Sequence, residues 1–152
     1  MSDPIHVRPA VPADVAVLTR FNITLARETE DHGLDPYTVE RGVRRVFAGG
    51  TGASYVVAEV GGEVVGGCMT TGEWSDWRNG EIAWLQSVYV DPEHRGRGVF
   101  AAMLAEVERA SLAKGCVALR LYVERENGRA IRTYERHGLT STAYRVMEKT
   151  LA

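Results

Sequence analysis

The alternation of apolar and polar positions divides the chain into short strands and helices, with no internal repeat and no low-complexity linker. Ile5-His-Val-Arg8 alternates and predicts a strand. Pro12-Ala-Asp14 then opens a helix on which Val15, Leu18, Phe21, Ile23 and Leu25 form a broad apolar face. A second helix is predicted after Asp35-Pro36, with Val39, Val43 and Val46-Phe47 at helical spacing and Gly49-Gly50 ending it. Ser54 to Val60 and Glu63 to Thr70 read as a hairpin across Gly61-Gly62, and Glu81 to Val90 follows across the turn signal Asn79-Gly80. After a glycine-bearing turn, Val99, Phe100, Met103, Leu104 and Val107 line one side of a helix that runs to about Lys114, where Gly115 stops it. Val117 to Val123 alternates again, with Leu119, Leu121 and Val123 on one face and Arg120 with Tyr122 on the other. The last elements predicted are a helix from about Gly128 to Arg136 and a terminal strand from about Ala143 to Lys149.

This order predicts a single α/β domain over residues 1–152. The strand ending at Val90, the helix to Lys114 and the strand from Val117 form a βαβ unit, whose strands should run parallel through a right-handed crossover.

Composition narrows the function classes. At 152 residues, with 45% apolar and 25% charged side chains, the chain can bury a core without disulfides or metal. Its net charge of −2 and scattered cations argue against a nucleic-acid partner. Cys68 and Cys116 fit reduced thiols better than a bridge, and His6, His32, His94 and His137 have no paired metal-ligand spacing, so no metal is expected. The Met-Ser-Asp-Pro start lacks a cationic apolar leader, and no apolar run approaches a membrane span. A cytoplasmic protein with no membrane partner is expected.

The candidate chemistry lies in Val88-Tyr-Val-Asp-Pro-Glu-His-Arg-Gly-Arg-Gly-Val-Phe-Ala101, a strand joined to a helix by a basic turn with two glycines. Unpaired N–H groups at a helix start, together with the helix dipole, form a cradle for an anion such as a diphosphate. A nucleoside triphosphatase loop would need Gly-Lys-Ser/Thr, but Val99-Phe100 follows Gly98. A dinucleotide fold would need Gly-x-Gly-x-x-Gly in the first βα turn, and this turn is mid-chain with Ala101 in the last position. Alternatively, Gly96 and Gly98 only shape a tight turn.

Two motifs resemble those of the Gcn5-related N-acetyltransferase superfamily, and the likeness covers nearly the whole chain. The acyl-CoA signature Arg/Gln-x-x-Gly-x-Gly/Ala falls on Arg95-Gly96-Arg97-Gly98-Val99, with Phe100 departing at the sixth position. Asn-x-x-Ala-x-x-x-Tyr-x-x-x-Gly-Phe/Leu is matched by Asn127, Ala130, Tyr134, Gly138 and Leu139. Glu73-Trp-Ser-Asp-Trp77, Trp84 to Val90 and Gly98-Val-Phe100 are further similar to a bacterial subgroup of that superfamily.

The resemblance implies an α/β fold with a mixed, mostly antiparallel central sheet, a parallel βαβ acyl-CoA-binding unit and helices on both faces. It implies an N-acetyltransferase that uses acetyl-CoA as cosubstrate and a small-molecule or peptide amine as acceptor, by direct attack. A non-catalytic acyl-CoA-binding or interaction domain is the alternative. Strands before and after the turn would splay, with Val88, Tyr89 and Val90 lining the pantetheine slot. The diphosphate would rest on amides of Gly96, Arg97, Gly98, Val99, Phe100 and Ala101, screened by Arg95 and Arg97, unless these arginines merely solvate the turn. Asn127 would contact pantetheine, cap its helix, or both.

Tyr134 takes the position of the family's general acid toward the CoA sulfur, and main-chain N–H groups near Val88 would be the oxyanion donors. Cys68 as an acetyl carrier is disfavoured. Gln86 and Tyr122 occupy the strand positions where some relatives carry a carboxylate base, so either water relays the proton or the base is another group. Glu28 and Glu30 at the end of the first helix, and Glu73 and Asp76 in the 73–80 segment, are the candidates. Trp74 and Trp77 beside those carboxylates either form a wall that attracts a cationic amine or cap the end of a hairpin. Edge strands at the C-terminus allow a homodimer.

Overall fold

The computed structural model describes residues 3–30 and 33–152. Met1, Ser2, Asp31 and His32 fall outside the described residues, as does the side chain of Glu30. The chain forms two compact units, Met1–Tyr122 and Val123–Ala152.

In the first unit the elements are β1 (Ile5–Pro9), α1 (Val15–Glu30), α2 (Pro36–Ala48), β2 (Ser54–Val60), β3 (Glu63–Ser75), β4 (Gly80–Val90), α3 (Val99–Ala113) and β5 (Ala118–Leu121). The sheet runs β1-β2-β3-β4-β5, its first three pairings antiparallel and β4–β5 parallel. Beyond the expected Thr70, β3 continues to Ser75, because Thr71 to Ser75 find partners in Trp84 back to Gly80. By contrast β5 is shorter than expected, since its pairing to β4 covers only Ala118 to Leu121.

Helices cover both faces, and two adjacent glycines show how. A Cβ on Gly66 would lie 3.1 Å from Val99 and 3.4 Å from Met103 of α3, whereas one on Gly67 would lie 3.0 Å from Leu18 of α1. Successive strand residues point to opposite faces, so α1 and α3 lie on opposite sides of the sheet and approach it closely where side chains are missing. The α1 side is packed with Val15, Leu18, Val43, Tyr55 and Val57, and α3 buries Val99, Met103, Leu104 and Val107. Asp35 caps α2 by accepting from the Thr38 N–H at 3.1 Å. The entry to α1 is tied down by Asp14, which is buried and accepts two hydrogen bonds from Arg8 at 2.8 and 3.1 Å. Arg8 also reaches Glu59 on β2 at 2.7 Å.

The second unit holds α4 (Gly128–Arg136). The strand expected at 143–149 does not form; residues 140–152 carry no regular structure. A strand needs a neighbour for its N–H and C=O groups, and within 123–152 the only regular element is a helix. The edge expected there for subunit pairing is therefore not formed. Among the described residues no helix is long and apolar enough to cross a membrane.

Candidate active site

The antiparallel ladder between β3 and β4 breaks at one place. Gly67 pairs with Tyr89 and Met69 pairs with Gln86, so Cys68 alone faces both Ser87 and Val88. This is a β-bulge, and Ser87 adopts φ 52°, a left-handed conformation unusual for any residue but glycine. On its other side, β4 is paired with β5 only from Ile82 to Leu85. From Gln86 onward it has no β5 partner among the described residues. A bulge thus turns backbone groups at Ser87–Val88 out of the ladder just where the next strand ends. The Tyr89 side chain packs under α1, its ring 4.8 Å from that of Phe21, so only its backbone borders the opening.

Beyond β4, the Asp91 N–H donates to Val65 O at 2.8 Å, and a single 3-10 turn, Pro92–His94, leads to the glycines. Gly96 and Gly98 have φ 75° and 87°, and Gly98 is the residue that precedes the first turn of α3. Only glycine adopts these angles without strain. The first helical bond runs from the Ala102 N–H to Gly98 O at 3.0 Å, so the first turn of α3, Val99 to Ala101, lies ahead of the intrahelical hydrogen-bond ladder. Phe100 is half-buried. Arg97 is exposed, but Arg95 is engaged elsewhere: its Nε donates to Val90 O at 2.8 Å, its Nη2 to Glu28 Oε2 at 2.8 Å, and its guanidinium lies 5.5 Å from the Tyr89 ring centre.

A second cluster occupies the α1 side of the sheet, up-strand of the bulge. The Trp84 indole N–H donates to Glu73 Oε1 at 2.9 Å, and Arg120 Nη1 lies 3.9 Å from Glu73 Oε2. The Arg120 guanidinium sits 6.0 Å from the Trp84 ring centre, and Tyr122 stacks on Trp84 with centroids 4.6 Å apart. Next to them, Gln86 donates to Thr71 Oγ1 at 2.7 Å. Register explains the grouping: Thr71 pairs with Trp84 and Trp84 with Arg120, while Glu73, Gln86 and Tyr122 are each two residues from one of these and so share their face.

The expected tryptophan wall is not part of this cluster. Trp74 pairs with Glu81 and by alternation faces the other side; it is 64% exposed, and Trp77 in the hairpin turn is 89% exposed. Asp76 is exposed in that turn, its carbonyl accepting from Asn79. Glu73 lies opposite Ile82, six positions before Val88, which is roughly 15–20 Å along the strand. It is therefore not placed to take a proton at the bulge directly.

In the second unit the motif residues shape α4. Asn127 Oδ1 accepts from the Ala130 N–H at 3.1 Å, and the chain leaves the helix at Gly138, with the Leu139 N–H returning to Tyr134 O at 3.1 Å. Burial pushes the Tyr134 phenol above its ordinary range. Cys68 is sealed beneath α3, and burial pushes its thiol up to about 12, which suits packing and not nucleophilic chemistry.

Residues 21–139 match the Acetyltransferase (GNAT) family. The chain belongs to that family. A possible acetyltransferase from Clostridium difficile 630 shares 37% identity with this GNAT chain, with a TM-score of 0.89 over 97% of this chain and 98% of that one. Acetyltransferase SG1711 of Sodalis glossinidius (strain morsitans) is 38% identical over 82 residues, so the match spans about half the length of each, 54% in both. A predicted acetyltransferase from Clostridium acetobutylicum, solved with acetyl-CoA, shares the fold at 14% identity, with a TM-score of 0.79 over 96% of both chains.

For this GNAT chain, three residues of the up-strand cluster were not marked by the sequence: Thr71, Trp84 and Arg120. Trp84 looks like one more apolar strand position, and Arg120 like a solvated one. The signal present was that Arg120 and Tyr122 share a face; the register that sets both beside Trp84 joins segments about 35 residues apart and is not written in local pattern.

Proposed function

We propose that this protein transfers an acetyl group from acetyl-CoA to a primary amine by direct attack on the thioester. The observation that carries the reading is the Ser87–Val88 bulge at the end of β4–β5 pairing, followed by the Gly96–Gly98 turn and the first turn of α3. In this reading the main chain of Val88 to Val90 holds the pantetheine arm as an added strand would, and the Val88 N–H donates to the oxyanion. Amides from Gly96 to Ala101 cradle the diphosphate, with Arg97 screening its charge and Arg95 holding the turn in place. Asn127 orders the start of α4, and Tyr134 protonates the departing thiolate. A raised phenol pKa keeps that proton available throughout neutral and mildly alkaline pH.

The attacking amine approaches from the α1 side, past Gln86. Gln86 and Thr71 anchor a water that relays its proton, since β4 offers no carboxylate between Ile82 and Val90. The same observation favours a second reading, an acyl-CoA-binding domain without turnover. Release of CoA thiol that depends on an added amine separates the two. Tyr134→Phe should lower kcat by about 100-fold while acetyl-CoA affinity stays near that of the wild type; an unchanged kcat and pH profile would remove Tyr134 from the chemistry.

A further inference from the structure

On the α3 side of the sheet, a cavity of about 80 Å³ lies beneath the C-terminal half of α3 and opens to solvent past exposed Ser54 and Lys114. That is several times the room one ordered water needs. Ala83 of β4 and Val107 of α3, both buried, supply apolar walls. Ser54 and Thr70, whose hydroxyl oxygens lie 3.1 Å apart, and Ser111 add hydroxyl groups. Two charged residues complete the lining, Glu81 from the sheet and Lys114 from the helix.

Both charges are directed at this space. A Cβ on Gly72 would fall 2.7 Å from Glu81 Cδ, so the Glu81 carboxylate lies back over a strand position that carries no side chain. Gly72 pairs with Ala83, which sets that carboxylate beside the cavity wall. Lys114 continues the sheet-facing spacing of Val107 and Ser111, and a helical side chain leans over the turn N-terminal to it, here over Ser111. Among the described residues, neither the Glu81 carboxylate nor the Lys114 ammonium has a hydrogen-bond or ion-pair partner, and they do not pair with each other.

We propose that this cavity binds a small free α-amino acid as its zwitterion, the ammonium toward Glu81 and the carboxylate toward Lys114, at a site separate from acetyl transfer. A lone ammonium would be set against Lys114 and a lone carboxylate against Glu81, whereas a zwitterion complements both at once. The volume admits a ligand of few heavy atoms, such as alanine or serine, and a serine hydroxyl finds partners in Ser54 and Thr70. Apolar walls on both sides strengthen each charge contact relative to open water. Ala83 lies five residues before Val88 on β4, about 16 Å away, and faces the side opposite to Gln86. Occupancy is therefore compatible with bound acetyl-CoA.

The test uses Cys116, which lines the same cavity and is half-buried, whereas Cys68 is sealed in the core. Alkylation of Cys116 by iodoacetamide in the intact protein is followed by mass spectrometry with added serine, alanine, leucine, ethylamine or propionate. Serine or alanine should slow it at least about fivefold near saturation, as mass action on an occupied site requires, and the other three should leave it within about twofold. Glu81→Gln and Lys114→Met, which keep side-chain length, should each abolish the protection while the unprotected rate and the unfolding midpoint stay unchanged. Amide NMR shifts on adding serine give a readout independent of the thiol and should centre on Thr70, Ala83 and Ser111, with acetyl-CoA present or absent. Neither protection nor such shifts with serine and alanine at concentrations up to their solubility would overturn the proposal. Equal effects of ethylamine or propionate, or displacement of serine by acetyl-CoA, would overturn it as well and leave the acetyl-transfer reading standing.

Discussion

Arg95 Nη2 and Glu28 Oε2 lie 2.8 Å apart, joining the residue that opens the glycine turn to the last turns of α1 across 67 positions of sequence. With its Nε on Val90 O and its charge beside the Tyr89 ring, Arg95 braces the end of β4 against α1. Two separate guanidinium nitrogens make these bonds, a spread of donors that the compact ammonium of a lysine does not offer.

This arrangement sets the sign of one prediction. If Arg95 acts as a brace, Glu28→Gln should weaken acetyl-CoA binding slightly or leave it unchanged, and Arg95→Lys should weaken it severalfold. If Arg95 instead bound the diphosphate, Glu28→Gln would free it and remove a nearby negative charge, and binding would tighten. Isothermal titration with acetyl-CoA distinguishes the two. The pair is exposed enough that its loss should cost only about 0.5 kcal/mol of stability.

The bulge yields a second prediction. Ser87 holds φ 52°, which costs about 1 kcal/mol relative to glycine. Ser87→Gly should therefore be neutral or stabilise by up to about 1 kcal/mol in urea unfolding. Ser87→Val places a branched Cβ in the same conformation and should destabilise by about 1–2 kcal/mol while lowering amine-dependent CoA release. Full activity in Ser87→Val would mean that the bulge does not supply the oxyanion donor.

Asp14 predicts the acid limb of stability. Hydrogen bonds from Arg8, with a further one from the Val11 N–H, hold its carboxyl below the ordinary value of 3.8, against the opposing effect of burial. Its stabilising contribution is complete above that ordinary value and is lost as pH falls through the lower folded value. Asp14→Asn should cost about 2–4 kcal/mol at pH 7, and the gap between variant and wild type should close below about pH 4. Urea unfolding from pH 3 to 7 measures it.

Cys68 should not react with thiol reagents in the folded protein at pH 8, because its thiol is buried and pushed up to about 12, whereas half-buried Cys116 should react first. Cys68→Ala should retain amine-dependent CoA release at a cost of about 1 kcal/mol in stability. Loss of turnover without loss of folding would instead place Cys68 in the reaction.

Local pattern was enough to read most elements and the glycine turn that follows β4. Strand alternation, helical spacing and glycine punctuation each act over fewer than about ten residues, so β1 to β5 and α1 to α4 were legible to within a few positions. The same holds for Gly96, Gly98, Asn127 and Gly138, whose roles are backbone conformation and helix capping, properties of a residue and its immediate neighbours. The strand expected over about Ala143 to Lys149 failed for the complementary reason: strand composition is local, whereas a strand is defined by a ladder to a neighbouring strand.

Side-chain company across the sheet was decided by tertiary structure alone. Whether Trp74 or Trp84 stands beside Glu73 depends on strand register, and a shift of one residue exchanges the two faces. The bulge at Ser87 is such a shift, made by one extra residue on β4 that no composition marks. Arg95 likewise reads as a phosphate ligand in sequence, and only the packing of α1 beside β4 brings Glu28 close enough to claim it. The chain itself therefore determined that a glycine turn and a helix start follow a strand; the fold determined which charged and aromatic groups share one face of the sheet. Backbone geometry is set by nearest neighbours, whereas recognition is set by contacts between segments far apart in the chain.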